Sequence, residues 1–441
     1  METVRAFLQV NKGRWLWAAA VFLLAALLPE YVFPLLCLTA YLCTVRRCVS
    51  LRSTEKAMLV YMAWSALAVS YSGAKASALA ILLPWCLFFF GSRMLLSTVD
   101  NADKLNVLFL CGAASGGIAG GIAILQMVLF HFGGPLKKTF NPFWHLLDMQ
   151  FADLAVRLLP QSVVRMLPRT QFIAIADRAS STFTNPLFLA VFLCMMVPFC
   201  TYCLFYFHRR ATRIFAALCL LLCVGGIAVS YSRGPYLALC IVFFVMLFYG
   251  RKYAWKLLCT AGALLVGLSL FAGGVFRRLL TLFSGRDISV NTRTQIWKAC
   301  FEMLRGHWLF GYGTGVGNVR NMLHENYRIR QPHAHNLFLQ ILLEQGVIGL
   351  ALFGAILILF LRNLYRLAKK GDIGRGIAVT LLGSLAGFCA CGMTDYLFYG
   401  MKPLCYFLML IALSECALRI YTEDKPPCAE EPAAKELVTQ S

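Results

Sequence analysis

Two histidines stand at the mouth of a long apolar run. Pro332-His333-Ala334-His335-Asn336 leads directly into Leu337-Phe338-Leu339-Gln340, with Glu344 and Gly346-Val347-Ile348-Gly349 beyond. Imidazole titrates near neutrality, so His333 and His335 suit proton handling or general-base work. A metal would need more ligands, and no carboxylate or cysteine accompanies the pair at ligand spacing, so neither metal nor cofactor is expected. Arginines precede them. The stretch 276–335 carries nine Arg and Lys, among them Arg286, Arg293 and Arg320, against Asp287, Glu302 and Glu325. It also holds Gly311-Tyr312-Gly313-Thr314-Gly315-Val316-Gly317-Asn318. Guanidinium forks and glycine amides suit phosphate oxygens, and a diphosphate is the ligand they predict. The glycines match no Walker or dinucleotide fingerprint, since no strand precedes them and no Lys-Ser/Thr follows.

Two shorter segments add polar groups. Ser180-Ser181-Thr182-Phe183-Thr184-Asn185-Pro186 opens an apolar run, where Asn185 serves as a helix cap and Pro186 suits the first turn. Ser230-Tyr231-Ser232-Arg233-Gly234-Pro235 is a tight turn whose only strong charge is Arg233. A snorkelling Arg pinning a helix end is the plainer reading of it. Gly346 and Gly349 read as helix-packing positions, and Glu344 as a carboxylate paired within a bundle, with an arginine as its partner.

The elements that must position these groups are membrane helices. Hydrophobic residues make up 60% of the 441, and mean hydropathy is +0.70, too little polar surface to cover a soluble globule. Apolar runs predict twelve spans, at 15–28, 31–45, 57–71, 76–91, 105–130, 183–207, 213–230, 235–250, 255–275, 336–361, 376–394 and 402–420. The fold class expected is an all-α integral membrane protein with two long loops, 131–182 and 276–335. A segment from Phe143 to Leu159, with Trp144, Leu147, Phe151, Leu154 and Leu158 near helical spacing, predicts an interfacial helix in the first loop. The membrane domain runs over 1–421, and 422–441 reads as a disordered tail.

Short connections rich in Lys and Arg stay cytoplasmic. They hold Lys12 and Arg14; Arg46, Arg47, Arg52 and Lys56; Arg93 and Lys104; Arg209, Arg210 and Arg213; Arg251, Lys252 and Lys256; and Arg362, Arg366, Lys369, Lys370 and Arg375. The alternate short connections hold only Lys75, Arg233 and Lys402. Both termini are therefore expected in the cytoplasm and both long loops outside, in a multi-pass protein of the cytoplasmic membrane. The net charge of +21 reflects these clusters, which anionic lipid attracts; nucleic acid is not implied. Most of the 18 cysteines lie inside apolar runs, as Cys194, Cys219 and Cys240 do, where a thiol acts as a small hydrophobe.

Over 180–400 the polar segments resemble, in order, the O-antigen ligase / O-antigen polymerase superfamily of bacterial membrane glycosyltransferases. Thr182-Phe183-Thr184-Asn185-Pro186 is similar to that family's Asn-Pro segment, with Leu187 where many members have Asn. Ser232-Arg233-Gly234 matches its Ser-Arg-Gly turn. Arg293 and Trp297 resemble the Arg-x-x-x-Trp ahead of a glycine-rich stretch, and His335-Asn336 stands at the family's spacing from Gly346 and Gly349.

The resemblance implies metal-independent transfer from an undecaprenyl-diphosphate-linked oligosaccharide to a glycan or lipid-linked acceptor, for capsule, exopolysaccharide or O-antigen. On that reading Arg233 and Arg293 grip the diphosphate, and His335 orients or deprotonates the acceptor hydroxyl. His333, Asn336, Arg286, Arg320 and Asn185 are expected to contact substrate. Polymerase and ligase both remain open, with polymerase slightly favoured. A secondary transporter is the rival, since twelve helices with both ends inside also suit a carrier. Its sites would lie mid-bilayer in two related halves, whereas the polar residues here gather at outer ends and no repeat is visible. Asp395, the main carboxylate within an apolar stretch, also lies near an outer edge.

Overall fold

The computed structural model describes residues 14–24, 28, 32–44, 50–132, 178–249 and 288–422. Helices α1 (Arg14–Leu24), α2 (Val32–Thr44), α3 (Ser53–Ser70), α4 (Lys75–Thr98) and α5 (Ala102–Phe132) come first. Next are α6 (Pro186–Tyr206), α7 (Arg210–Val229) and α8 (Arg233–Met246). The second half has α9 (Ile288–Met303), α10 (Val316–Tyr327), α11 (Leu337–Ala368), α12 (Gly371–Gly392) and α13 (Met401–Thr422). No strand occurs among the described residues.

Among the described residues, seven helices are long and apolar enough to cross a membrane: α4, α5, α6, α7, α11, α12 and α13. Of the other expected spans, 15–28, 31–45 and 235–250 meet helices whose described parts run 11, 13 and 14 residues, against the roughly 20 residues a span needs. The expected span at 57–71 falls on α3. That at 255–275, the interfacial segment 143–159 and the tail lie outside the described residues, as does Arg286.

α6 is the hub, packed against α5, α7, α8 and α12 and buried over most of its length. Lipid tails are as apolar as leucine, so close backbone approach holds such helices together, and small residues permit it. Gly120 on α5 shows this: a Cβ there would strike the Leu222 carbonyl of α7. α13 fills the space between α4, α11 and α12. A second, smaller core sits at one end of the bundle. Ile296, Cys300 and Met303 of α9 and Val319 and Leu323 of α10 pack on Ala334, Leu339 and Leu343 at the start of α11. This cluster ties the arginine-rich loop to the helix that follows the histidines.

α11 is two helices joined at a kink. Gly346 has φ +66°, open to glycine and strained for other residues. The break frees backbone groups that a bilayer would leave without partners. Val347 N–H donates to the Trp308 carbonyl at 2.8 Å, Tyr312 N–H to the Leu343 carbonyl at 2.8 Å, and Trp64 Nε1–H to the Gln345 carbonyl at 3.2 Å.

Candidate active site

Asn336 caps α11, its Oδ1 accepting Leu339 N–H at 3.0 Å, and so fixes where the chain leaves the helix. The preceding residues are clamped on both sides of Ala334, which is fully buried. Its N–H donates to Gln340 Oε1 at 2.8 Å, and its carbonyl accepts Trp297 Nε1–H at 2.9 Å. This explains the Arg-x-x-x-Trp spacing. Trp297 pins the backbone between the histidines, and Arg293, one turn earlier on α9, brings its charge near His333.

His335 has φ +47°, a left-handed conformation costly for a residue with a side chain. It lets both imidazoles face one carboxylate. His335 Nδ1 lies 3.2 Å from Asp395 Oδ1, and His333 Nδ1 lies 3.7 Å from the same oxygen. The two rings stand edge to face, 4.3 Å between centroids. The His335 contact is close but not a straight N–H···O bond. His333 Nδ1 accepts the His335 backbone N–H at 3.2 Å, so that nitrogen carries no proton and His333 is neutral. Burial pushes its pKa down to about 4, helped by His335 and Arg293 and opposed by Asp395. Burial pushes the Asp395 carboxyl up, but His335, His333 and the Tyr396 N–H at 2.7 Å outweigh it and hold it at about 2. The result is an ionised carboxylate beside one neutral and one partly exposed imidazole.

The turn Met393–Tyr396 joins this cluster to the Ser-Arg-Gly turn. Asn336 Nδ2–H donates to the Met393 carbonyl at 3.2 Å. Gly234 packs directly on the Thr394 side chain, leaving no room for a Cβ. Half-buried Arg233, opening α8, is therefore neighbour to the turn that carries Asp395. Arg178 braces the same turn, donating to the Ser230 carbonyl at 2.8 Å and to Ser232 Oγ at 2.6 Å.

Behind the histidines runs a buried chain of amides. Gln340 Nε2–H donates to Glu344 Oε1 at 2.7 Å, and Gly315 N–H donates to Glu344 Oε2 at 2.9 Å. Glu344 thus holds the glycine-rich segment to α11 instead of pairing with an arginine. The glycines themselves are corrected as well. Gly311 N–H donates to the His307 carbonyl and Gly317 N–H to Ser77 Oγ, and a Cβ at Gly313 would lie 2.6 Å from Ser72 Cα. Gly311 packs on the α11 backbone and Gly313, Gly315 and Gly317 on the α3–α4 turn and the start of α4, with the amides of Gly311, Gly315 and Gly317 bonded internally, which leaves close packing and not an open phosphate cradle.

Of the residues singled out by sequence, His333, His335 and Asn336 meet at one mouth, with Arg293 and the Arg233 turn alongside. Asn185 acts as the cap of α6, accepting Leu187 N–H at 2.8 Å. Arg320 lies exposed on α10. Sequence reasoning missed Asp395 as a partner of the histidines. The available signal was depth, since Asp395 and the histidines both fall at outer helix ends. His333, His335 and Asp395 are also of metal-ligand type, their ligand atoms within 4.8 Å of one another. The carboxylate that the spacing lacked is supplied from the far side of α11 and α12.

No curated protein matches the chain. Residues 218–354 match the family model described as O-antigen ligase. That segment holds the Ser-Arg-Gly turn, the Arg-x-x-x-Trp pair, the glycine-rich stretch and both histidines, and its similarity to the family model supports a place for this chain in the O-antigen ligase/polymerase superfamily.

Proposed function

We propose that this protein transfers glycan from an undecaprenyl-diphosphate carrier to a hydroxyl acceptor on the outer face of the cytoplasmic membrane, without a metal ion. The acceptor oxygen attacks the anomeric carbon, the bond from that carbon to the diphosphate oxygen breaks, and the hydroxyl proton passes to His335. Asp395 orients His335 and stabilises its cationic form. Arg233 and Arg293 stabilise charge developing on the diphosphate as it leaves. His333 stays neutral and supports the His335 backbone. The observation that carries this reading is the meeting of His335, Asp395 and the Ser-Arg-Gly turn around the residues 393–396.

The outward placement follows the Lys and Arg clusters at the opposite helix ends. Transport is the weaker reading because this polar cluster lies at helix ends and not at mid-span. The test is purified protein in nanodiscs with a defined undecaprenyl-diphosphate oligosaccharide, following carrier release and glycan length for wild type and His335→Ala. Lengthening indicates a polymerase, and movement to a different acceptor a ligase. Inactivity of wild type on every donor and acceptor, with solute flux in proteoliposomes, would replace this reading by transport.

A further inference from the structure

The segment between α9 and the glycine-rich stretch ends in Trp308-Leu309-Phe310, three large apolar residues in succession. Trp308 is 59% exposed and Phe310 52% exposed, so they are not buried by the small core of α9 and α10. Their backbone is nonetheless fixed. The Trp308 carbonyl accepts Val347 N–H at the α11 kink, and the Phe310 carbonyl accepts the Tyr71 hydroxyl at 2.8 Å. The Phe310 ring stacks on Trp64 of α3, 6.0 Å between centroids.

These anchors set the depth of the hook. Counted back from Leu361, the last apolar residue before Arg362, a hydrocarbon core of roughly 30 Å takes about 20 residues at about 1.5 Å each and so reaches a few residues beyond Gly346. The kink therefore falls just inside the outer boundary of the bilayer, and the histidines, ahead of the first turn of α11, stand at or above that boundary. The α3–α4 turn lies at the same level, joined to the loop by Asn318 Nδ2–H donating to Ser72 Oγ at 2.9 Å. Trp308 and Phe310 continue the exposed apolar surface of Leu67 and Tyr71 on one side and Val347 on the other. Exposed Arg305 and His307 precede them, suited to the headgroup layer.

We infer that Trp308-Leu309-Phe310 is a membrane anchor, seated among the lipid chains at the bilayer boundary, that holds the loop bearing His333 and His335 down on the leaflet. Trp and Tyr favour that boundary, where an apolar ring meets polar headgroups. The occupant of this surface is phospholipid. It brings the loop to the height at which the diphosphate of a membrane-embedded carrier lies.

The test reads location and needs no catalytic activity, so it stands apart from the proposed transfer. Full-length wild type and Trp308→Phe are placed in phosphatidylcholine vesicles with or without bromine on the acyl chains. The tryptophan emission lost in the variant should be quenched by lipid bromine and insensitive to aqueous iodide. Quenching of that emission by iodide, without quenching by bromolipid, would overturn the anchor. Benzoylphenylalanine at position 310 gives the independent check: photocrosslinks to lipid support the anchor, and crosslinks confined to soluble probe refute it.

Discussion

His335 and Asp395 come together at 3.2 Å, Nδ1 to Oδ1, from opposite ends of the α11–α12 pair. A carboxylate behind an imidazole selects the ring's tautomer and stabilises its protonated form. Asp395→Asn should therefore lower transfer on the order of 10²-fold or more while the protein stays folded. The check is turnover of the lipid-linked donor, with a thermal-melting control.

Arg233→Lys and Arg293→Lys retain charge but lose the two-pronged fork, and each should lower transfer, by roughly 10²-fold. Wild-type rates from Arg233→Lys would remove that residue from the diphosphate. Initial rates at saturating and limiting donor separate binding from stabilisation of the leaving group.

His333 gives a pH dependence with a definite sign. Its folded pKa, about 4, lies below its ordinary 6.5. Its contribution to stability is complete above 6.5 and is lost as pH falls from 6.5 towards 4, because the unfolded chain takes up the proton first. The melting temperature in nanodiscs should fall across that window in wild type. In His333→Gln the fall should be shallower.

Gln340→Leu strips the acceptor from Ala334 N–H and the donor from Glu344 in one step. Leaving buried polar groups unpaired costs about 1–3 kcal/mol each, so the melting temperature should drop and the histidine loop loosen. Trp297 fluorescence offers a local readout, since its indole holds the other side of Ala334.

Chelation addresses the three ligand-type side chains directly. Dialysis against EDTA should leave transfer unchanged, because His333 Nδ1 is taken by a backbone N–H and Asp395 Oδ1 by Tyr396 N–H. Loss of activity restored by zinc or manganese would turn His333, His335 and Asp395 into a metal site.

Much of this was legible in the sequence for local reasons. Apolar length marks helices such as α6 and α11, and Asn185 announces the start of α6 by residue type, whereas Asn336, expected at the substrate, shows its capping role only in the structure. The pairing of Arg293 with Trp297 was visible as a spacing, although its purpose emerges only when Trp297 reaches Ala334. Asp395 was not legible as a partner because its meeting with His335 depends on how two helices turn back on each other. The glycines from Gly311 to Gly317 misled for a related reason. Glycine serves both ligand approach and backbone packing, and only the packing on α11 and on the α3–α4 turn decides between them. Gly346 likewise looked like a packing residue within one helix, and its positive φ instead breaks that helix.

The position of Asp395 also bears on how the protein is made. The histidines, the Arg233 turn and Arg293 are all synthesised before α12. During that interval the imidazoles lack their carboxylate, and the Ser-Arg-Gly turn lacks Thr394 to rest on. On the proposed reaction, a nascent chain arrested before the 393–396 turn is inert towards carrier lipid, and competence arises only when α12 folds back against α11.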